Sequence, residues 1–209
     1  MNKQKFLQYC GYFGVLGIVC YFCHVIIGGL LYDNYDPISQ AISDLTAKGS
    51  PSLIVARVFT AIYGICMIAF FTAFYLFFCK KINRVFSLGT MFLLIMQTVS
   101  FVGYTAFPLS EAGFARTFQD TMHLIVTIVV VITSITALIL LAIGFFRAKH
   151  KRLGIGAIVT LFCMMFGSIL LGAVPQVMGI GERLNIYALH IYFGILAVWL
   201  ITYKQLVPV

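Results

Sequence analysis

Six long apolar runs dominate this sequence and restrict what the chain can form. A helix needs about 20 predominantly apolar residues to cross the hydrocarbon core of a bilayer, and each run is long enough to do so. Only 10% of the residues are charged, against about 25% in ordinary soluble domains. We therefore predict an all-α, polytopic membrane protein, with residues 1–209 forming a single transmembrane domain. The predicted spans cover about 10–32, 53–79, 85–107, 118–146, 153–175 and 184–204.

The first run follows basic residues, as the apolar region of a signal peptide does. It is longer than such a region, and no pair of small residues that would mark a cleavage site follows it. We therefore expect the first run to be retained as the first of six spans.

Charge alternates between the segments that connect the spans. One side holds ten of the fourteen Lys and Arg residues: Lys3, Lys5, Lys80, Lys81, Arg84, Arg147, Lys149, Lys151, Arg152 and Lys204. All six acids lie towards the other side: Asp33, Asp36, Asp44, Glu111, Asp120 and Glu182. Because positively charged loops stay in the cytoplasm, we predict a plasma-membrane protein with both termini cytoplasmic. The tight basic loops are interpreted mainly as determinants of this topology, although they also suit anionic headgroups.

The longest polar interval, residues 33–52, follows the first span on the outer side. Asp36 followed by Pro37 is typical of a helix start, and Gly49 can end the helix. Apolar residues then recur at positions 38, 41, 42 and 45, which is helical spacing. We predict a short amphipathic helix over 36–48 that covers the outer end of the bundle.

Polar and ionisable residues at helical spacing lie in the outer part of three of the spans. Asp120 and His123 are three residues apart, and Arg183, Tyr187 and His190 follow one stripe of the last span. Gln97, Ser100 and Tyr104 form a similar stripe on the third span. Since such groups are costly in lipid and face a bundle interior, they predict an outward-facing polar pocket, with separate interhelical hydrogen bonds as the alternative. The predicted ligand-binding residues are Ser43, Asp44, Arg57, Asp120, His123, Arg183, Tyr187 and His190.

Histidines in the same half of the spans permit a second interpretation. His24, His123 and His190, with Asp44 or Asp120, match the ligands of a zinc site with an open position. Such a site would activate water for hydrolysis. The sequence has no HExxH motif, and the three histidines come from three distant helices.

The positions of the cysteines in the sequence favour a role in helix packing. Cys20-Tyr-Phe-Cys23-His24 matches the CxxCH pattern of c-type haem attachment, but it lies inside an apolar span, so packing is the favoured interpretation. The remaining cysteines are scattered and indicate no disulfide framework. No phosphate-binding glycine loop, no GxSxG motif and no basic-aromatic surface for nucleic acid is present.

Four stretches together resemble a known family. These are ISDLTAKGSPSLIVARVF after the first span, Phe107-Pro108, FQDTMH at the start of the fourth span, and GIGER before the last. They resemble the DUF998 family of small, six-span bacterial membrane proteins without an assigned activity. The resemblance implies the six-span fold and little about mechanism.

Two more distant similarities bear on function. The ISD motif and the histidine early in the fourth span are similar to the group that includes the DRAM autophagy modulators, which implies a link to lipid organisation. The chain is also similar to the CREST membrane hydrolases in its Ser, Asp and His residues. It departs from them in having six predicted spans rather than seven, and in lacking paired histidines in the last helix.

Three functions follow from these observations. The first is binding of a membrane lipid or other amphiphile in the outer pocket. The second is zinc-dependent hydrolysis at the membrane. The third is a non-catalytic role as an oligomer or as a partner subunit of a membrane complex.

Overall fold

The computed structural model describes residues 3–203, and six long α-helices account for most of them. They are α1 (Lys3–Leu30), α2 (Leu53–Phe78), α3 (Arg84–Ala106), α4 (Phe118–Arg147), α5 (Lys151–Ala173) and α6 (Met178–Thr202). Two short 3₁₀ helices, Ile42–Thr46 and Pro175–Val177, complete the secondary structure of this range, which contains no strand. The prediction of an all-α chain with six helices long and apolar enough to cross a membrane is confirmed.

The helix ends differ from the predicted spans at two places. Helix α1 begins at Lys3 rather than near residue 10, and α6 begins at Met178 rather than near residue 184. The polar residues of the GIGER stretch therefore belong to the first turns of α6. Lys204, the last of the predicted basic residues, lies outside the described range.

The six helices form a closed ring. Each helix packs against its neighbours in the sequence, and α6 closes the ring by packing against α1. Aromatic side chains from α2 and α6 meet in the middle, where Phe71 and Phe193 pack edge to face with ring centroids 4.9 Å apart. Nearer the end of α6, the Trp199 ring stacks on Phe78 at 4.9 Å. Most of the largest fully buried side chains are aromatic rings.

The outside of the ring is strongly apolar. Only 33–39% of the most apolar window of each helix is buried within the bundle. Large side chains such as Ile54, Leu76 and Phe162 are exposed by 78%, 68% and 70%. Apolar surface of this extent is expected against lipid rather than water, so the structure describes a multi-pass membrane protein.

The residues before α6 and those after α1 meet at one end of the ring. The segment that follows α1, here called the first loop (residues 31–52), does not form the predicted helix over 36–48. Residues 37–40 form a turn, Ala41 is extended (φ −71°, ψ 153°), and only Ile42–Thr46 is helical, as a 3₁₀ turn. The predicted apolar side chains at 42 and 45 are nevertheless buried, by 97% or more.

Contacts with α6 explain the break in this loop. The carbonyl of Ile38 accepts a hydrogen bond from the Ile180 amide at 3.2 Å. The Ile42 amide, which would donate to Ile38 in a continuous α-helix, donates instead to the Glu182 carboxylate at 2.6 Å. The backbone groups needed for a longer helix thus bind the first turns of α6, whose amide groups lack partners within their own helix.

Two glycines provide a test of the helix packing. Gly144 of α4 faces Phe86 of α3, and a Cβ at position 144 would lie 2.7 Å from the Cα of Phe86. Gly172 of α5 has no atom within 4 Å of such a Cβ.

We expect Gly144→Ala to lower the free energy of unfolding by about 1–3 kcal/mol, the usual cost of overpacking. Gly172→Ala should be neutral or slightly stabilising, because alanine favours helix. Thermal unfolding in detergent, followed by a thiol-reactive dye that reaches buried cysteines such as Cys20 and Cys66, measures both. Equal effects of the two substitutions would contradict the close contact of α3 with α4.

Candidate functional site

The candidate site lies at the end of the ring that carries the acids, called here the acidic end. It comprises the first loop, the second loop (residues 107–117), and the short connection before α6. The opposite end, which carries the connections 79–83 and 148–150, is called the basic end. All six acidic residues lie in the two loops or in the adjoining first turns of α4 and α6.

Arg183 joins α6 to the first loop. Its Nη1 donates to the carbonyls of Gln40 and Gly179, both at 3.0 Å, and its Nη2 donates to the Tyr35 hydroxyl at 2.6 Å. The Tyr35 hydroxyl in turn donates to the Ala41 carbonyl at 2.8 Å. Burial raises the pKa of Tyr35 to about 12, so the hydroxyl keeps the proton that it donates.

Gly179 makes this docking possible. A Cβ at position 179 would lie 2.6 Å from the Pro37 carbonyl oxygen and would also clash with the Gln40 carbonyl oxygen. Gly179 therefore lets the backbone of the first loop approach the helix.

Asp44 connects the first loop to the second. Its carboxylate is 2% exposed and accepts hydrogen bonds from the amides of Ala41, at 3.2 Å, and Gly113, at 3.1 Å. The Lys48 amide adds a third link by donating to the Leu109 carbonyl at 3.0 Å. Burial raises the pKa of Asp44 despite the opposing effect of the two amides.

Asp120 and His123 hold the second loop on α4. The fully buried Asp120 carboxylate accepts from the Ser110 amide at 2.8 Å, from the Ser110 hydroxyl and from the Thr117 amide at 3.1 Å. The Thr117 hydroxyl accepts from the Asp120 amide, which completes a capping box. The Nδ1 of His123 lies 2.8 Å from the Phe107 carbonyl. The spacing of Thr117 and Asp120 in the sequence is the signal that would have identified this role.

His190 lies deeper, in a group of buried rings between α1, α2 and α6. The Tyr21 ring stacks on His190 with centroids 3.8 Å apart, and His24 packs edge to face on Tyr21 at 5.3 Å. Tyr63 contacts His190 at 5.1 Å and donates to the Gln97 side-chain oxygen of α3 at 3.0 Å. The polar stripes predicted on α3 and α6 thus meet inside the ring.

Several polar atoms of this group have no hydrogen-bond partner among the described residues. They are both ring nitrogens of His24, the Nε2 of His190 and the amide nitrogen of Gln97. The Nδ1 of His190 lies 2.7 Å from the Ile186 carbonyl. Only a protonated nitrogen can donate there, so in the neutral ring Nε2 carries a free lone pair.

The three histidines predicted as zinc ligands do not form one cluster. His24 and His190 both contact Tyr21, whereas His123 packs on Tyr104 at 4.8 Å and is bonded to the second loop. Within residues 3–203, no group of three His, Cys, Asp or Glu side chains is placed to hold a metal ion. The zinc site stays a prediction from the sequence.

A cleft of about 300 Å³ opens between α1 and α6 beneath the first loop. Helix α1 contributes Val25, Ile26, Gly29 and Leu30, the loop contributes Tyr35 and Pro37, and α6 contributes Arg183 and Tyr187. This cleft is lined by only two of the eight predicted ligand-binding residues.

The other predicted residues lie elsewhere. Arg57 is exposed on α2, with its guanidinium 3.5 Å from the Thr46 carbonyl, and the Ser43 carbonyl accepts from the Thr46 hydroxyl. Asp44, Asp120 and His123 bind loop backbone, and His190 is part of the buried ring group. Tyr35 and the α1 wall were not identified from the sequence, because a single loop tyrosine and the apolar residues of a span carry no local signal of a cleft.

The contributions of Asp44 and Asp36 to the stability of the fold depend on pH in opposite directions. The raised pKa of Asp44 means that its contribution to stability is greatest below about pH 4 and falls as the pH rises through that raised pKa. The Ser39 hydroxyl and the Ile38 amide lower the pKa of the exposed Asp36, so its contribution is present above about pH 4 and is lost below.

We therefore expect the melting temperature of the wild type minus that of Asp44→Asn to be larger at pH 4 than at pH 7. The melting temperature of the wild type minus that of Asp36→Asn should instead be larger at pH 7 than at pH 4. Thermal melts of the three proteins in one detergent at both pH values measure these differences. If both differences changed in the same direction between pH 4 and pH 7, the environments assigned to Asp44 and Asp36 would be contradicted.

Comparisons with known proteins give a family and no activity. The family model described as "Protein of unknown function (DUF998)" matches residues 15–199, which is most of the chain. No curated protein and no solved structure matches the chain. The matched range extends from α1 to α6 and includes both loops and the cleft, so this six-helix membrane protein belongs to the DUF998 family.

Proposed function

We propose that this protein binds an anionic amphiphile, such as a phospholipid, in the cleft between α1 and α6. The headgroup lies beside Arg183 and the acyl chain runs along α1. The observation that carries this proposal is the position of the Arg183 guanidinium on the wall of a cleft whose other walls are largely apolar.

The hydrogen bonds of Arg183 favour an anionic ligand. All three go to neutral oxygens: two carbonyls and the Tyr35 hydroxyl. A guanidinium has five N–H donors, so donors remain for a ligand or for the neighbouring Tyr187 hydroxyl. The adjacent acid, Glu182, directs its carboxylate to the Ile42 amide. A headgroup phosphate would supply the charge-assisted bonds for which arginine is best suited.

The α1 wall of the cleft suits an acyl chain. Ile26 and Leu30 are exposed by 61% and 79% on the lipid-facing side of the helix. A volume of about 300 Å³ is at the lower end of the range for ligand pockets. The cleft therefore accommodates a headgroup and the first part of a chain, and the rest of the chain lies in the surrounding bilayer.

Substitution of Arg183 tests the headgroup assignment. Because hydrogen bonds to charged groups contribute about 1.5–3 kcal/mol, Arg183→Gln should weaken binding of phosphatidylglycerol by about tenfold or more. Native mass spectrometry of the purified protein, titrated with this lipid, measures the change. Arg57→Gln is the control: Arg57 is an exposed arginine at the acidic end that lies outside the cleft. This variant should bind phosphatidylglycerol as the wild type does.

A second variant separates loss of binding from loss of loop docking. Ile26→Trp fills the cleft and leaves the bonds of Arg183 in place, so it should also weaken binding of phosphatidylglycerol. Ile195→Trp places the same side chain at an exposed position of α6 outside the cleft lining and serves as its control. Wild-type binding by both Arg183→Gln and Ile26→Trp would refute the proposed site.

The proposal includes a plasma-membrane location with both termini and the basic end in the cytoplasm. It is supported by the uneven distribution of Lys and Arg between the two ends. With that orientation, the cleft faces the outer leaflet.

Reporter fusions test the orientation. A green fluorescent protein fused after Val209 should fluoresce, and alkaline phosphatase at the same point should be inactive. Phosphatase inserted after Glu111, in the second loop, should be active. The reverse pattern would place the cleft in the inner leaflet and leave the binding measurements unaffected.

A further inference from the structure

A second cleft lies at the basic end, on the opposite side of the bundle from the first. It has a volume of about 470 Å³ and is formed by the connection between α4 and α5 together with the last part of α6. The lining residues are Lys149, His150, Lys151, Arg152, Leu153 and Trp199.

The charges around this cleft have no acidic side chain near them among residues 3–203. Lys149, Lys151 and Arg152 are all exposed and adjacent in sequence. The six Asp and Glu side chains all lie at the acidic end, across the length of the helices. Within the part of the basic end that the structure describes, no side chain neutralises these three cations, so an external anion is a favourable partner.

Trp199, which lines the cleft, is packed against several other rings. The Trp199 ring stacks on Phe78 at 4.9 Å and packs edge to face with Phe145 at 5.6 Å and with His150 at 5.4 Å. Leu153 beside it is 9% exposed, and its carbonyl accepts from the Tyr192 hydroxyl at 3.2 Å. The cations are therefore arranged around a fixed aromatic surface.

The loop itself has a defined conformation. Lys149 has a positive φ of 62°, which reverses the chain after α4. The amides of Lys149 and His150 donate to the carbonyls of Phe146 and Phe145, at 3.1 Å and 2.9 Å. Little ordering of the backbone is therefore required on binding, which lowers that part of the entropic cost of holding a ligand.

The other basic connection carries a similar charge in a different arrangement. Lys80, Lys81 and Arg84 follow α2, but the Lys81 ammonium lies 3.3 Å from the centroid of the Phe77 ring. The neighbouring Asn83 caps α3 and donates to the Gly144 carbonyl at 2.9 Å. This connection therefore provides a matched control for charge alone.

We infer that the cleft at the basic end binds a phosphate group, held by Lys149, Lys151 and Arg152, with the carbon portion of the ligand on Trp199. A phosphate offers several oxygens to an arginine and two lysines at once. Tryptophan favours the membrane–water boundary, where its ring contacts the region next to the headgroups. A phospholipid headgroup and a soluble phosphate share this chemistry.

Binding at this cleft can be measured by the fluorescence of Trp199, because it is the only tryptophan in the sequence. The full-length protein in detergent is titrated with dioctanoyl phosphatidylglycerol, dioctanoyl phosphatidylcholine or inorganic phosphate, and tryptophan fluorescence is followed. We expect a saturable change with phosphatidylglycerol and none with phosphatidylcholine. A matching response to inorganic phosphate assigns the site to soluble phosphates, and a response to phosphatidylglycerol alone assigns it to lipid.

Variants decide whether the response belongs to the cleft. Lys149→Asn with Arg152→Gln should weaken binding at least tenfold, and asparagine tolerates the positive φ at position 149. Lys80→Gln with Lys81→Gln should leave the fluorescence response of Trp199 unchanged. Circular dichroism and melting temperature confirm that each variant is folded. Absence of a saturable response to any probe, or equal losses in both basic connections, overturns the inference.

Discussion

The structure of the acidic end depends on one requirement: backbone and charged groups near the membrane must find partners. The first turns of α6 have free amides, and the first loop has carbonyls and amides without a helix of their own. The two satisfy each other through the Ile180 amide, the Glu182 carboxylate and the Arg183 guanidinium. Because a buried, unsatisfied polar group costs about 1–3 kcal/mol, this exchange fixes the loop over α6 and forms the roof of the cleft.

The same requirement is not fully met in the middle of the ring. Tyr21, His24, Tyr63, Gln97 and His190 are buried, yet four of their nitrogen atoms lack partners among the described residues. Polar groups inside a membrane bundle are generally functional or paired. The rings stack closely, so packing of aromatic surface stabilises what hydrogen bonding does not.

The sequence predicted the parts of the fold that depend on composition and failed where distant segments exchange hydrogen bonds. Six spans follow from apolar length alone, and their number and type were correct. The helix over 36–48 was wrong in form, since Asp36-Pro37 and the apolar spacing are local signals, whereas the competing partners come from residues 180 to 183. The polar stripes include the buried residues Gln97, Asp120 and His190. They did not distinguish Arg183 and Tyr187, which line a cleft, from Asp120 and His123, which anchor a loop.

Closure of the ring by α1 and α6 has a consequence for assembly. The cleft lies on the seam between the first and the last helix, so its walls are separated by more than 150 residues of chain. During synthesis α1 enters the membrane long before α6 exists, and its side chains at the seam face lipid until the end. The ligand site is then the last feature of the bundle to form, and a bound lipid would hold together the two helices whose contact has the largest loop to close.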